Sequence, residues 1–305
     1  MKRLTIYCLA IFAISIQVVA LVSPVHALSI GGTVRQPLNL TVEDLLNTGQ
    51  VEARLSDVTK EGKFRGVFTY RGVPLRNLLQ MADVRKEVEG YSKPIDLAIV
   101  VSNKDGRKAI LSWGEIFYGK PSDIIIALSA SPIMPGSPKS CSQCHESSFY
   151  KPAMEQLDRK IVFPRLVIAD DLYSDRCLED VVHVEVIDLK GKSKWKPDDK
   201  ALSPFFTVKD SSGRTMDITD LQGFGRVSFS LKQVGSGRGY HGLKTFEGIP
   251  LREVLRKAGA GDDPDAVFMF TSADGYRSLL SFGEVFLGVK SDRIIIAEKG
   301  KNPSA

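Results

Sequence analysis

The chain of 305 residues is 43% hydrophobic and 25% charged and contains 26 glycines, an ordinary globular composition. This excludes a disordered tail protein, a collagen-like rod and a disulfide-dense miniprotein, and the length suits about two domains. The net charge is +5, of which Lys2 and Arg3 supply two, so nothing argues for nucleic acid or an anionic membrane as a partner.

Residues 1–27 read as a secretory signal. Lys2 and Arg3 give a positive start, Leu4 to Val22 is almost wholly apolar, and Val25-His26-Ala27 resembles a small-residue cleavage site. The alternative is a retained membrane anchor, because the run approaches spanning length. Ser23, Pro24 and the site at Ala27 directly after the run favour cleavage, and Cys8 lacks the preceding pattern of a lipoprotein. Lys2-Arg3 is not a twin-arginine pair, so export of an unfolded chain is expected, with any cofactor attached outside the cytoplasm. The expected location is periplasmic or secreted, without a membrane span after cleavage.

The remainder repeats itself. Val42 to Leu79 aligns without a gap on Ile218 to Leu255, most closely between YRGVPLRNLL (Tyr70–Leu79) and FEGIPLREVL (Phe246–Leu255). After a loop that is longer in the first copy, NKDGRKAILSWGEIFYG (Asn103–Gly119) matches SADGYRSLLSFGEVFLG (Ser272–Gly288), and SDIIIA then matches SDRIIIA. Pro74 and Pro250 stand where the first turn of a helix needs no N–H, and Leu75, Leu78 and Leu79 recur at helical spacing, as do Leu251, Val254 and Leu255. Asp105-Gly106 and Asp274-Gly275 read as hairpin turns, the first between strands Leu97–Val101 and Ala109–Leu111. Ser112 with Glu115, and Ser281 with Glu284, have capping-box spacing for short helices ending near Gly119 and Gly288. Turn and cap duties account for Asp105, Glu115, Asp274 and Glu284, which would otherwise be tempting catalytic carboxylates.

FPRLVIADDLYSDRCLEDVVHVEVIDL (Phe163–Leu189) reads as strand, loop and strand, and Lys190 to Lys200 as a linker. The expected organisation is a first domain over 28–190, a linker over 191–200 and a second domain over 201–305. The second copy has no counterpart of the closing segment. Either the chain is incomplete or the second domain is smaller and borrows a partner's strand, which makes oligomerisation through it an expectation.

The order GVPLRNLL, strand, Asp-Gly turn, strand and then FPRLVIADDLYSDRCLEDVVHVEVIDL resembles the molybdopterin-binding domain of the sulfite oxidase family. The resemblance covers most of Val42–Leu189, and again Ile218–Ala297 without the end. It implies a strand-rich α+β domain and a redox enzyme whose molybdenum is held by a cysteine thiolate ahead of the GVPLR-like segment. No cysteine lies between Gly49 and Tyr70 or between Gly225 and Phe246, where the corresponding stretches read VEARL and VSFSL.

One segment breaks the duplication, an insertion at about 128–162 of the first copy. Within it Cys141, Cys144 and His145 spell C-x-x-C-H, the attachment signature of c-type haem. Two thiols at this spacing add across the two vinyl groups of one porphyrin, and the adjacent imidazole becomes the proximal ligand of the iron. Alternatives are a disulfide or redox pair of Cys141 and Cys144, and a zinc site that adds His145 and Cys177. For the distal position Met134 is the candidate, with Met154, His183 and His241 as the other options. GRGYHG (Gly237–Gly242) spells G-x-G-x-x-G, but a strand rather than a helix is expected after it, so it is no dinucleotide fingerprint.

The sequence therefore points to an exported electron-transfer protein with one covalent haem c, no molybdopterin and redox proteins as partners. The alternatives are a molybdopterin-dependent oxidoreductase and a non-catalytic binding module of the same fold.

Overall fold

The computed structural model describes residues 27–86, 91–133, 159–189, 206–235, 239–260, 263–272 and 275–301. Residues 1–26 of the expected leader, the expected linker 191–200, and Met134, Cys141, Cys144, His145 and Met154 lie outside the described residues. The fold is α+β and rich in strands, in line with the reading from sequence.

Two sheets build the first half. Alternation in the sequence makes β3 (Val51–Val58) two-faced, with Ala53 and Leu55 buried and Glu52, Arg54 and Ser56 exposed. β3 pairs with β4 (Phe64–Pro74), β4 with β7 (Ile124–Pro132) and β7 with β8 (Arg165–Ile168), all antiparallel. β5 (Leu97–Asn103) is instead an apolar run and is buried along most of its length. It lies between β6 (Lys108–Ser112) and β9 (Val181–Asp188), with β1 (Leu28–Gly32) and β2 (Leu38–Leu40) beyond β9. The β5–β6 hairpin turns at Gly106, whose φ of +81° suits glycine. Phe163–Leu189 supplies β8 to one sheet and β9 to the other, and so ties the two together.

Helices cover the sheet ends. α1 (Val42–Asn47) starts at a capping box between Thr41 and Asp44, and no helix was expected there. α2 (Leu75–Met81) follows Pro74 at the N-cap and buries Leu75, Leu78 and Leu79. α3 (Trp113–Phe117) starts at the expected Ser112–Glu115 capping box. β7 continues to Pro132, opposite Phe68 of β4, so residues 128–132 are strand rather than the start of the insertion.

The second half runs through β10 (Phe206–Lys209), β11 (Thr215–Ile218), β12 (Val227–Gly235), β13 (Gly239–Pro250), α4 (Leu251–Lys257), β14 (Val267–Thr271), β15 (Arg277–Ser281) and β16 (Ile295–Lys301). β12, β13 and β16 form one sheet, and β10–β11 and β14–β15 are separate hairpins. A strand, not a helix, follows the Gly239 end of GRGYHG. In place of the short helix expected after Ser281 there is a wider π turn, Gly283–Leu287. The Arg176 guanidinium lies against its first residue, so close that a Cβ on Gly283 would be 1.8 Å from Arg176 Cζ.

The register breaks fall at matching positions in the two halves. The β3–β4 and β12–β13 pairings shift between Ser56 and Val58 and between Lys232 and Val234, and the β4–β7 and β13–β16 pairings between Arg71 and Gly72 and between Glu247 and Gly248. A Cβ on Gly72 would meet Ile126 O at 2.1 Å, and one on Gly248 would meet Ile296 O at 2.1 Å. Gly72→Ala and Gly248→Ala are each expected to lower stability by about 1–3 kcal/mol, because a backbone carbonyl cannot step aside as a side chain can. Urea midpoints of the two variants test this.

The first half holds one continuous core that spans both sheets. The second holds two small groups, Ile218, Ile249 and Val254, and Leu251, Leu255 and Val285. Among the described residues no helix is long and apolar enough to cross a membrane.

Candidate functional site

The haem-type residues lie outside the described region, but the two ends of their segment are placed. On the entry side the Ile133 N–H donates to Val67 O at 2.9 Å, holding the chain beside the start of β4. On the exit side Arg159 Nη1 donates to Asp57 Oδ2 at 2.6 Å and its Nη2 donates to Glu179. Val162 N donates to Glu179 Oε2 at 3.2 Å. Both ends are therefore anchored on β3, β4 and the loop before β9.

Beneath the exit end is a buried ion network. Arg165, 1% exposed, donates from Nη2 to Asp57 Oδ2 at 2.8 Å and from Nη1 to Tyr70 OH at 2.7 Å. Burial raises the Asp57 carboxyl, but the Arg165 guanidinium, the Ser174 hydroxyl and Arg159 together outweigh it and hold that carboxyl below its ordinary range. Burial pushes the Tyr70 phenol up to about 12, so it stays a neutral acceptor.

A cavity of about 300 Å³ opens beside this network, lined by Arg65, Asn103, Arg107, Arg159, Cys177 and Glu179 among others. Arg159 is committed to two carboxylates, whereas among the described residues no carboxylate forms an ion pair with Arg65 or Arg107. Cys177 accepts from Ile168 N at 3.4 Å, and burial pushes its thiol up to about 11. At neutral pH it is therefore a protonated thiol, which does not suit a nucleophile. Of the distal options, His183 is bound through Nδ1 to Ser29 Oγ at 2.8 Å on β9, and His241 sits on the exposed start of β13. Among the described residues no His, Cys, Asp and Glu are grouped to hold a metal ion.

The two halves meet through the cap residues. Ser281 Oγ donates to Glu115 Oε2 at 2.7 Å, and Ser281 N donates to Glu284 Oε2 at 2.9 Å. Arg176 Nη2 donates to Glu115 Oε1 at 2.6 Å and to Asp171 Oδ1 at 2.7 Å. Tyr91 OH donates to Arg277 O at 2.7 Å, and Leu172 N and Val289 N donate across to Leu287 O and Asp170 O at 2.9 Å each. Glu115 and Glu284 are caps, as expected from their spacing, but they also face one cavity of about 240 Å³ between the halves. Local spacing gave no sign of that second role.

Burial, and then the nearby Glu115 charge, push the Glu284 carboxyl up to about 7. A folded-state value above the ordinary 4.5 means that the folded chain holds the extra proton between about 4.5 and 7. The contribution of this group to stability is therefore full below that window and falls as pH rises through it, by up to about 1.4 kcal/mol per pH unit. Glu284→Gln keeps an acceptor for Ser281 N and removes the titration. It is expected to flatten the pH dependence of the urea midpoint across this window and to be more stable than the parent above it.

No family model matches the chain and no curated protein matches it. Among solved structures it is similar to the sulfane dehydrogenase SoxCD from Paracoccus pantotrophus, at 15% identity over 83% of this chain and 77% of that chain, with a TM-score of 0.36. An overlay at that score assigns no residue a role.

Proposed function

We propose that the chain is an exported electron-transfer protein that carries one c-type haem on an insertion in a duplicated α+β scaffold. The observation that carries this reading is Cys141-x-x-Cys144-His145 in the one segment that the second half does not repeat, behind an apolar leader. Cys141 and Cys144 would hold the porphyrin through their thiols and His145 would ligate the iron, with Met134 as the candidate for a second ligand. The bound group supplies a one-electron redox centre.

The described residues fit this assignment. Asp57 and Glu179 grip Arg159 and Val67 grips Ile133, so both ends of the segment are fixed to the first half. Arg65 and Arg107 at its root offer guanidinium groups that match the carboxylates of a porphyrin. The matching bulges and hairpins support a duplication, with the first unit over 28–190 and the second over 201–305. The oxidised and dithionite-reduced visible spectra of protein made in cells that mature c-type cytochromes test the reading. Sharp bands that appear on reduction are expected, and a colourless protein would refute it.

A further inference from the structure

Equivalent residues of the two halves stand face to face. β6 and α3 of the first half pack against β15 of the second, and β15 with the π turn Gly283–Leu287 matches β6 with α3 in sequence. The bonds across the contact are reciprocal. The Ser281 hydroxyl donates to Glu115 Oε2 at 2.7 Å, and the Ser112 hydroxyl reaches the Glu284 carboxyl. Each serine also accepts from the N–H of the glutamate in its own half, Ser112 from Glu115 at 3.0 Å and Ser281 from Glu284 at 3.1 Å. This is the pattern of an isologous contact, in which residue i meets j and j meets i. Such a contact sets a carboxyl of one half beside its own counterpart in the other.

The surroundings make that pairing costly when both carboxyls are charged. Arg176 donates to Glu115 and to Asp171, and it faces Glu284 as well. Tyr118, Asp123, Asp170 and Lys290 line the rest of the cavity, with Lys290 paired to Asp170 at 2.6 Å. Burial and the Glu115 charge outweigh the Ser112, Ser281 and Arg176 contributions and leave the Glu284 carboxyl raised. The rest of the contact is polar. Among the described residues no buried apolar group draws on both halves. The halves are joined by the main-chain bonds of Leu172 N to Leu287 O and Val289 N to Asp170 O, around the bridge of Asp171 with Gly288, and by the ion pairs Lys290–Asp170 and Arg277–Asp96. Without a shared apolar core, one more buried charge is a large part of what decides whether the halves stay together.

We propose that Glu115 and Glu284 form a proton-operated latch between the halves, closed while one proton is held between the two carboxyls and loosened, so that the cavity opens, once both are ionised. The sign follows from linkage. Opening exposes the Glu284 carboxyl, which returns from about 7 to its ordinary 4.5, so closing takes up a proton between those values. Acid therefore tightens the contact within that window. The opening equilibrium rises by up to about tenfold for each pH unit across it and levels off above it.

Hydrogen exchange on the full chain, from about pH 4 to about pH 8, reads the latch. The Glu284→Gln chain at the same pH is the reference, which cancels the intrinsic pH dependence of exchange. The N–H groups of Leu172 and Val289 cross the contact. Their exchange in the parent relative to the variant is expected to rise with pH by up to about tenfold per unit and to level off near 7, while Leu97–Val101 in the core of the first half stays protected in both. Glu115→Gln removes the like charge and should move the rise to lower pH. The proposal is overturned by a parent-to-variant ratio that does not change with pH, or by a rise that Glu115→Gln leaves where it was. It is also overturned if Leu97–Val101 loses protection to the same extent, which would mean unfolding rather than opening. None of these readouts depends on whether haem is attached.

Discussion

Intact-mass measurement on the protein from cells that mature c-type cytochromes should show the mature polypeptide plus one haem. The double variant Cys141→Ser, Cys144→Ser should return the bare polypeptide mass and a colourless protein, because no thiol remains to add to a vinyl group. His145→Ala should leave the thioether chemistry possible while removing the proximal ligand, so any haem that remains attached should show an altered reduced spectrum. Of the other mature cysteines only Cys177 remains, and its buried, protonated thiol cannot stand in for the missing pair. A disulfide between Cys141 and Cys144 would instead give a polypeptide two hydrogens lighter with no colour. The two outcomes exclude one another in a single spectrum.

The second large effect is on stability. Arg165→Met is expected to cost about 3–5 kcal/mol, the range for removing one partner of a buried ion pair. Asp57 is 0% exposed and would keep Arg159 as its one charged partner, which is itself partly open to solvent and belongs to the end of the inserted segment. The Ser174 hydroxyl beside it is neutral and cannot replace the lost charge. Asp57→Leu in the same chain should recover part of the loss, since it removes the uncompensated charge; urea denaturation of the single and double variants measures both. The depressed Asp57 carboxyl adds a sign to the test. Its stabilising contribution is present above the ordinary carboxylate range and is lost as pH falls through the lower folded value. Arg165→Met should accordingly lose less in acid than at neutral pH.

The parts of the fold that were legible in the sequence are those encoded within a few residues. Asp105-Gly106 marks a hairpin because the turn needs a residue that tolerates positive φ, and Gly106 has it. Ser112-x-x-Glu115 marks a helix start because the two side chains satisfy each other's backbone N–H groups, and both bonds form. At Thr41-x-x-Asp44, which starts α1, the shorter aspartate stands where the usual box has Glu or Gln, so the same logic did not flag the helix. The strand continuation from Leu128 to Pro132 was hidden for another reason. Leu128 is the extra residue of a bulge opposite Arg71 and Gly72, and a bulge shifts the alternation by which a strand is read.

The candidate site divides in the same way. The amino-acid sequence alone determined the Cys141–His145 motif, the repeat, and the fact that one is not part of the other, since each is a property of local order along the chain. Tertiary structure alone decided that Arg165 meets Asp57, 108 residues away, and that the caps at Glu115 and Glu284 face each other across the halves. It also decided that one of those carboxyls titrates near 7. The physical reason is that a backbone hydrogen bond is closed by neighbours in sequence, whereas the cost of a buried charge is set by whatever the rest of the chain packs around it.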